Sequence, residues 1–151
     1  MLLAMQVLSE RDEFDIAPVA VHVNHHLRDD AADDAEHVQR CCEAIGMACE
    51  VIDVHPDRGG EEARVHRYEA LLDVAVSHGA GDVVVAHHAE DQLETIIAAI
   101  GRGAGPEGMA GMAPSRPLGD GVRLVRPLLS VSKGQLQSMC ETSDMAWRED
   151  P

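Results

Sequence analysis

Short β-branched runs alternate with helical patterns along this chain, and that alternation restricts it to an α/β fold built on a parallel sheet flanked by helices. Ala17–Val23 (APVAVHV) is apolar and opens into the polar turn NHHLRDD. From Asp34 to Ile45, Ala35, Val38, Cys42 and Ile45 recur at helical spacing, and Gly46 supplies a stop. Cys49–Val54 reads as a second strand, and Pro56 with Gly59-Gly60 marks a loop. A helix follows from about Glu61 to His78, with Glu61 and Glu62 in the first turn, where the dipole favours anions, and Gly79 closing it. Val83, Val84, Val85 and Ala86 form a continuous apolar run suited to a buried parallel strand. From Glu90, the residues Leu93, Ile96, Ile97 and Ile100 fit one helical face. Gly101–Gly121 is rich in Gly and Pro and reads as one long loop. Val122–Leu128 is extended, limited by Pro127; a helix from Lys133 to Thr142 precedes a last short run at Met145–Trp147.

The length of 151 residues suits a single domain, 1–151, with its own core. Aromatic residues make up only 2% of the chain, so that core must be packed from Val, Ile, Leu, Ala and Met. No apolar run approaches the roughly 20 residues that span a bilayer, and MLLAMQVLSERDEF lacks the basic start of a signal peptide, so a cytoplasmic protein without membrane association is expected. Cys41, Cys42, Cys49 and Cys140 contain no CxxC pair and read as reduced thiols. A net charge of −15 argues against tight nucleic-acid binding by this segment itself, because phosphate contacts depend on Lys and Arg. An RNA held mainly by another domain remains compatible with it.

Ligands of open α/β sheets bind beyond the carboxyl ends of the strands. His25 and His26 follow the first strand run, and His87 and His88 follow the Val83–Ala86 run. The second pair opens the densest polar cluster of the chain: His87, His88, Glu90, Asp91 and Glu94. Asp91 and Glu94 are three apart and share a helix face. Carboxylates there can hold Mg²⁺ beside phosphates or receive a cationic amine. They can equally complement the helix dipole or stand solvated. A zinc site from His87, His88 and Glu90 is disfavoured, because neighbouring histidines rarely aim at one ion. Arg64, Arg67 and Tyr68 lie on one helix; the arginines either clamp a phosphate or pair with Glu61 and Glu62. Arg102, followed by Gly103-Ala104-Gly105, offers a guanidinium and backbone N–H groups to an anion.

Six segments, in order and spanning nearly the whole chain, resemble the tRNA(Ile)-lysidine synthetases of the PP-loop ATP pyrophosphatase superfamily. They are HVNHHLR (22–28), EEARVHRYEAL (61–71), AHHAEDQLET (86–95), RGAGPEGMAGM (102–112), VRPLL (125–129) and WREDP (147–151). The resemblance implies a Rossmann-like adenine nucleotide alpha hydrolase (PP-loop) fold and a ligase acting in two steps. ATP adenylates C2 of the anticodon wobble cytidine of tRNA(Ile), releasing pyrophosphate; the lysine ε-amine then attacks C2 and AMP leaves. It further implies Asp91, Glu94 and His87 as the catalytic, lysine-facing group. His22, Asn24, His25, Arg64, Arg67 and Arg102 would line the ATP side, and Glu90 with Asp91 would hold Mg²⁺. ATP, Mg²⁺, L-lysine and tRNA(Ile) are the implied cofactors and substrates, and a homodimer is compatible with the family.

The departures are specific. His26 stands where the family usually has Gly, and Glu90 where it has Asp. The S-G-G-x-D-S pyrophosphate loop is missing; in the family it follows the first, central strand and precedes a helix resembling Leu2–Leu8. Without that strand its two neighbours would flank an open seam. The family's tRNA-binding C-terminal domains are also absent, and WREDP breaks off inside a motif. The expectation is therefore a catalytic domain truncated at both ends and inactive alone. A 2-thiocytidine-type sulfur transferase of the same fold is the enzymatic alternative, though its cluster-holding CxxC pairs do not occur here. A non-catalytic remnant is the other.

Overall fold

The computed structural model describes all residues except 3–4, 6–8, 10–15, 27–30, 56–59, 144, 146 and 148–151. The chain divides into two compact units, Met1–Val74 and Ala75–Pro151.

The first unit holds β1 (Val19–Asn24), α1 (Ala31–Ala44), β2 (Ala48–Asp53) and most of α2 (Glu61–Ser77). β1 and β2 pair in parallel, from Val19 opposite Ala48 to Asn24 opposite Asp53. α1 crosses between them and ends as the sequence predicts: Met47 N–H donates to the Cys42 carbonyl at 2.9 Å, and Ile45-Gly46 form the turn. The core is small and aliphatic. Ala20, Cys42 and Met47 are buried, with Leu2, Met5, Val38, Ile45 and Cys49 packed against them. Cys42 is fully enclosed, and burial with the neighbouring Cys49 thiol pushes its own thiol up to about 12. All four cysteines are free thiols, as expected. Leu2, Met5 and Ser9 are helical; the rest of the Leu2–Leu8 segment lies outside the described residues, as do Leu27, Arg28 and the end of WREDP.

The second unit contains β3 (Asp82–Val84), α3 (Ala89–Gly101), β4 (Ser115–Gly119), β5 (Val122–Val125) and α4 (Lys133–Thr142). β3 and β5 are parallel, with Asp82 opposite Arg123 and Val84 opposite Val125. Leu124 and Val122 of β5 are buried, while the Arg123 side chain turns outward and grips Asp82 through two bonds of 2.8 and 2.9 Å.

Here the structure corrects the long-loop reading of Gly101–Gly121. Ser115–Gly119 is a strand, antiparallel to β5 and bulged between Pro117 and Gly119. Pro117 fits because β4 lies at the edge, where a missing N–H goes unused. The hairpin turns at Asp120-Gly121, both with positive φ (49° and 81°), the pairing that matches the twist of two-residue hairpins. Two ladders are thus parallel and one antiparallel. Each unit has its own sheet, and β1 and β3 each keep one edge without a ladder partner among the described residues.

α3 forms where its helical face predicts, but much of that face is open to solvent. Ala99 is its buried residue, whereas Leu93, Ile97 and Ile100 are each more than half exposed. The expected run at Met145–Trp147 forms no strand in its described residues. Among the described residues, no helix is long and apolar enough to cross a membrane.

Candidate functional site

In the first unit the carboxyl end of β1 is a histidine-rich turn. Asn24 is buried, and its Oδ1 accepts the His26 backbone N–H at 3.0 Å. That bond curls the chain so that His26 takes a left-handed φ of 52°, which explains why glycine suits this position in the resembling family. The His26 ring is tied down instead. Its Nε2 lies 2.6 Å from Asp53 Oδ1 at the end of β2, and the ring stacks on His55 at 4.7 Å with 19° between planes.

His22 and His25 are both held below the ordinary imidazole value. For His22 the main cause is burial, partly opposed by Asp34. For His25 burial leads, and the electrostatic influence of Arg67, His22 and His66 adds to it. His25 is therefore kept neutral, with Nδ1 buried and without a hydrogen-bond partner among the described residues. The structure thus brings His22, His25 and Arg67 together. Arg64 it does not: that guanidinium faces solvent and pairs with Glu61 at 3.2 Å. Both arginines lean over the Tyr68 ring, at 5.7 and 5.6 Å.

In the second unit β3 leads through His87 and His88 into α3. Three consecutive side chains at the start of this helix each engage a different backbone site. Glu90 Oε2 accepts the Lys133 N–H of α4 at 2.9 Å. Asp91 Oδ2 accepts the His88 N–H at 2.8 Å, closing the helix N-terminus. The Gln92 amide pairs with both backbone groups of Met112, accepting from N–H at 2.6 Å and donating to C=O at 3.0 Å. The Ala89 N–H adds a fourth tie, to the Val131 carbonyl at 3.0 Å.

The bond from Lys133 chiefly holds the Glu90 carboxyl below its usual range, helped by the nearby His88 ring, whose Nδ1 is 3.1 Å from Oε2. Glu94 is exposed, and its carboxylate has no partner among the described residues. His87 is half-buried with Nδ1 enclosed. Arg102 sits at the opposite end of α3, about 16 Å from Asp91 along the axis, where a cation complements the helix carboxyl end. It is thus remote from the acidic first turn.

Two residues of the site escaped sequence reasoning. Gln92 sits unremarked inside an acidic cluster, and its partner lies 20 residues on. Arg126 is 5% exposed; its Nη1 donates to Ala113 C=O and its N–H to Pro114 C=O, both at 2.8 Å, so it anchors the segment after the glycine-rich loop. Arg126, the second arginine of the otherwise apolar VRLVRPLL, was the available signal. Among the described residues no group of three or more His, Cys, Asp or Glu side chains could hold a metal ion, which removes the zinc reading there.

Comparison with known proteins agrees with this architecture. The PP-loop domain family matches residues 1–151. The chain is 39% identical to the tRNA(Ile)-lysidine synthase of Vibrio cholerae serotype O1, over 91% of its own length and 32% of that protein. It is 40% identical to the synthase of Novosphingobium aromaticivorans, covering all of this chain and 46% of that one. The match to the Alkalilimnicola ehrlichii synthase is 42% identical, over 87% of this chain and 30% of the relative. The chain therefore spans 30–46% of the length of these relatives. Among solved structures, the U34-tRNA thiolase NcsA from Methanococcus maripaludis superposes with a TM-score of 0.77 over 99% of this chain and 55% of that one. Its identity of 15% shows a shared fold. The chain belongs to the PP-loop domain family.

Proposed function

We propose that this domain carries the ATP-dependent chemistry of a tRNA(Ile)-lysidine synthase, joining lysine to C2 of the wobble cytidine through an adenylated intermediate. One geometric observation carries the reading: Glu94 is an exposed carboxylate, without a partner among the described residues, one turn from Asp91 on a helix tied down at its start. A rigidly mounted anionic face suits a substrate that arrives as an ammonium ion. The identity of 39–42% to curated lysidine synthases supports the same chemistry.

In this account Glu94 receives the lysine side chain, with the charge of Asp91 one turn away, and His87 lies at the same strand end. The neutral His25, with Arg67 and His22, serves the nucleotide; a neutral imidazole can accept a hydrogen bond from an exocyclic amine or a hydroxyl. Mg²⁺ would be held by the second carboxylate oxygen of Asp91, because Glu90 is committed to the Lys133 N–H. It would take its other ligands from phosphate and water, as Mg²⁺ at phosphates commonly does. Bound there, it would offset phosphate charge during adenylation.

The test uses the protein as encoded, with tRNA(Ile) and ATP–Mg²⁺. Pyrophosphate release that needs the tRNA, followed by AMP release that needs lysine, supports the proposal. Release of AMP that depends on sulfide instead of lysine contradicts it.

A further inference from the structure

The acidic helix is held from two sides. At 3.6 residues per turn, Glu90 and Glu94 lie on one face of α3, and Gln92 stands about 160° from both. Glu90 ties that face to the first turn of α4 through Lys133 N–H at 2.9 Å. Gln92 ties the opposite face to the glycine-rich loop through both backbone groups of Met112. A primary amide alone can meet both: a carboxylate has no hydrogen to offer the Met112 carbonyl, and an Asn side chain is one methylene short. The loop is shaped for the contact. Gly111 has a φ of 73°, and a Cβ there would stand 2.7 Å from Gln92 Oε1.

We propose that Gln92 and Glu90 are positioning residues, which fix the rotation of α3 from opposite sides and so hold the Glu94 carboxylate toward the incoming amine. Glu94 itself has no partner among the described residues to set its direction, so its aim follows from the helix that carries it. The inference rests on the amine-binding reading above. It assigns Glu90 to a backbone N–H, a role distinct from metal ligation.

The test compares Q92A, Q92E, E90A and E90Q in the protein as encoded, by steady-state lysidine formation and by hydrogen exchange. Q92A, Q92E and E90A should raise KM for lysine by about tenfold while leaving KM for ATP within about twofold. E90Q keeps an acceptor for Lys133 N–H and should behave as wild type, including its Mg²⁺ dependence. Faster amide exchange across residues 101–112 in Q92A, with the rest of the protein unchanged, is the accompanying signature.

Equal losses toward ATP and lysine, or an E90Q variant as damaged as E90A with a raised Mg²⁺ requirement, would overturn the inference. A wild-type protein that makes no lysidine refutes the underlying reading instead. In that case the exchange data decide the clamp alone: unchanged exchange in Q92A refutes it.

Discussion

Gly111 and Gln92 are fitted to each other across 19 positions of sequence: the absent Cβ of one leaves the space that the amide of the other fills. The fit welds the glycine-rich loop to α3, and its energetics are open to measurement.

Gly111→Ala should destabilise the protein by about 3–5 kcal/mol in denaturant unfolding. An L-residue at φ 73° and ψ −155°, a region essentially reserved for glycine, costs about 1–3 kcal/mol, and displacing the amide forfeits two hydrogen bonds worth about 1 kcal/mol each. Because the two residues touch, G111A/Q92A should be less damaging than the sum of the single changes. Strict additivity would show that the contact carries no energy.

His26 tests whether its ring contacts offset its backbone strain. His26→Gly removes a left-handed cost of about 1–2 kcal/mol. It also loses a solvent-exposed side-chain contact with Asp53, worth about 0–1 kcal/mol, and the stack on His55. The opposing effects nearly cancel, so stability should stay within about 1 kcal/mol of wild type by these magnitudes. His26→Val keeps the strain, adds β-branching and loses both contacts; a loss above about 2 kcal/mol is expected. A Val variant as stable as the Gly variant would refute the left-handed assignment.

The histidines of the β1 turn set a pH dependence. His25 and His22 are held below the ordinary value of 6.5 in the folded chain, so the unfolded chain binds the proton more readily. Their contribution is full above that value. It falls away as pH drops from 6.5 toward the depressed folded values, below which no more is lost. The stability difference between wild type and His25→Gln should therefore shift against wild type between pH 7.5 and 5.5 (about one unit either side of the unfolded value). A difference that stays constant, or shifts the other way, contradicts a neutral His25.

Much of the fold was legible locally. The helix over Lys133–Thr142 is found where expected because Ser132 and Gln135 cap it reciprocally, at 3.3 and 3.0 Å, a signal written in four residues. Strand β4 was hidden by Pro117 and Gly119, which argue against a strand except at an edge, although Asp120-Gly121 announced the hairpin. The site was half legible. Spacing placed Asp91 and Glu94 on one face of a helix, but it could not tell a capping carboxylate from a free one. That distinction depends on where His88, Lys133 and Met112 lie in space. The sequence order alone already placed Arg102 after the helix, far from the carboxylates at its start.

The central claim is that this domain mounts an anionic face to bring the lysine amine to an activated tRNA base. Nucleoside mass spectrometry of tRNA(Ile), after incubation with ATP, Mg²⁺, lysine and the protein as encoded, tests it most directly. The account predicts lysidine at the wobble position with wild type, and at least about a hundredfold less with Glu94→Ala while pyrophosphate release persists. Lysidine formed equally well by Glu94→Ala, or a thiolated cytidine in its place, would contradict it.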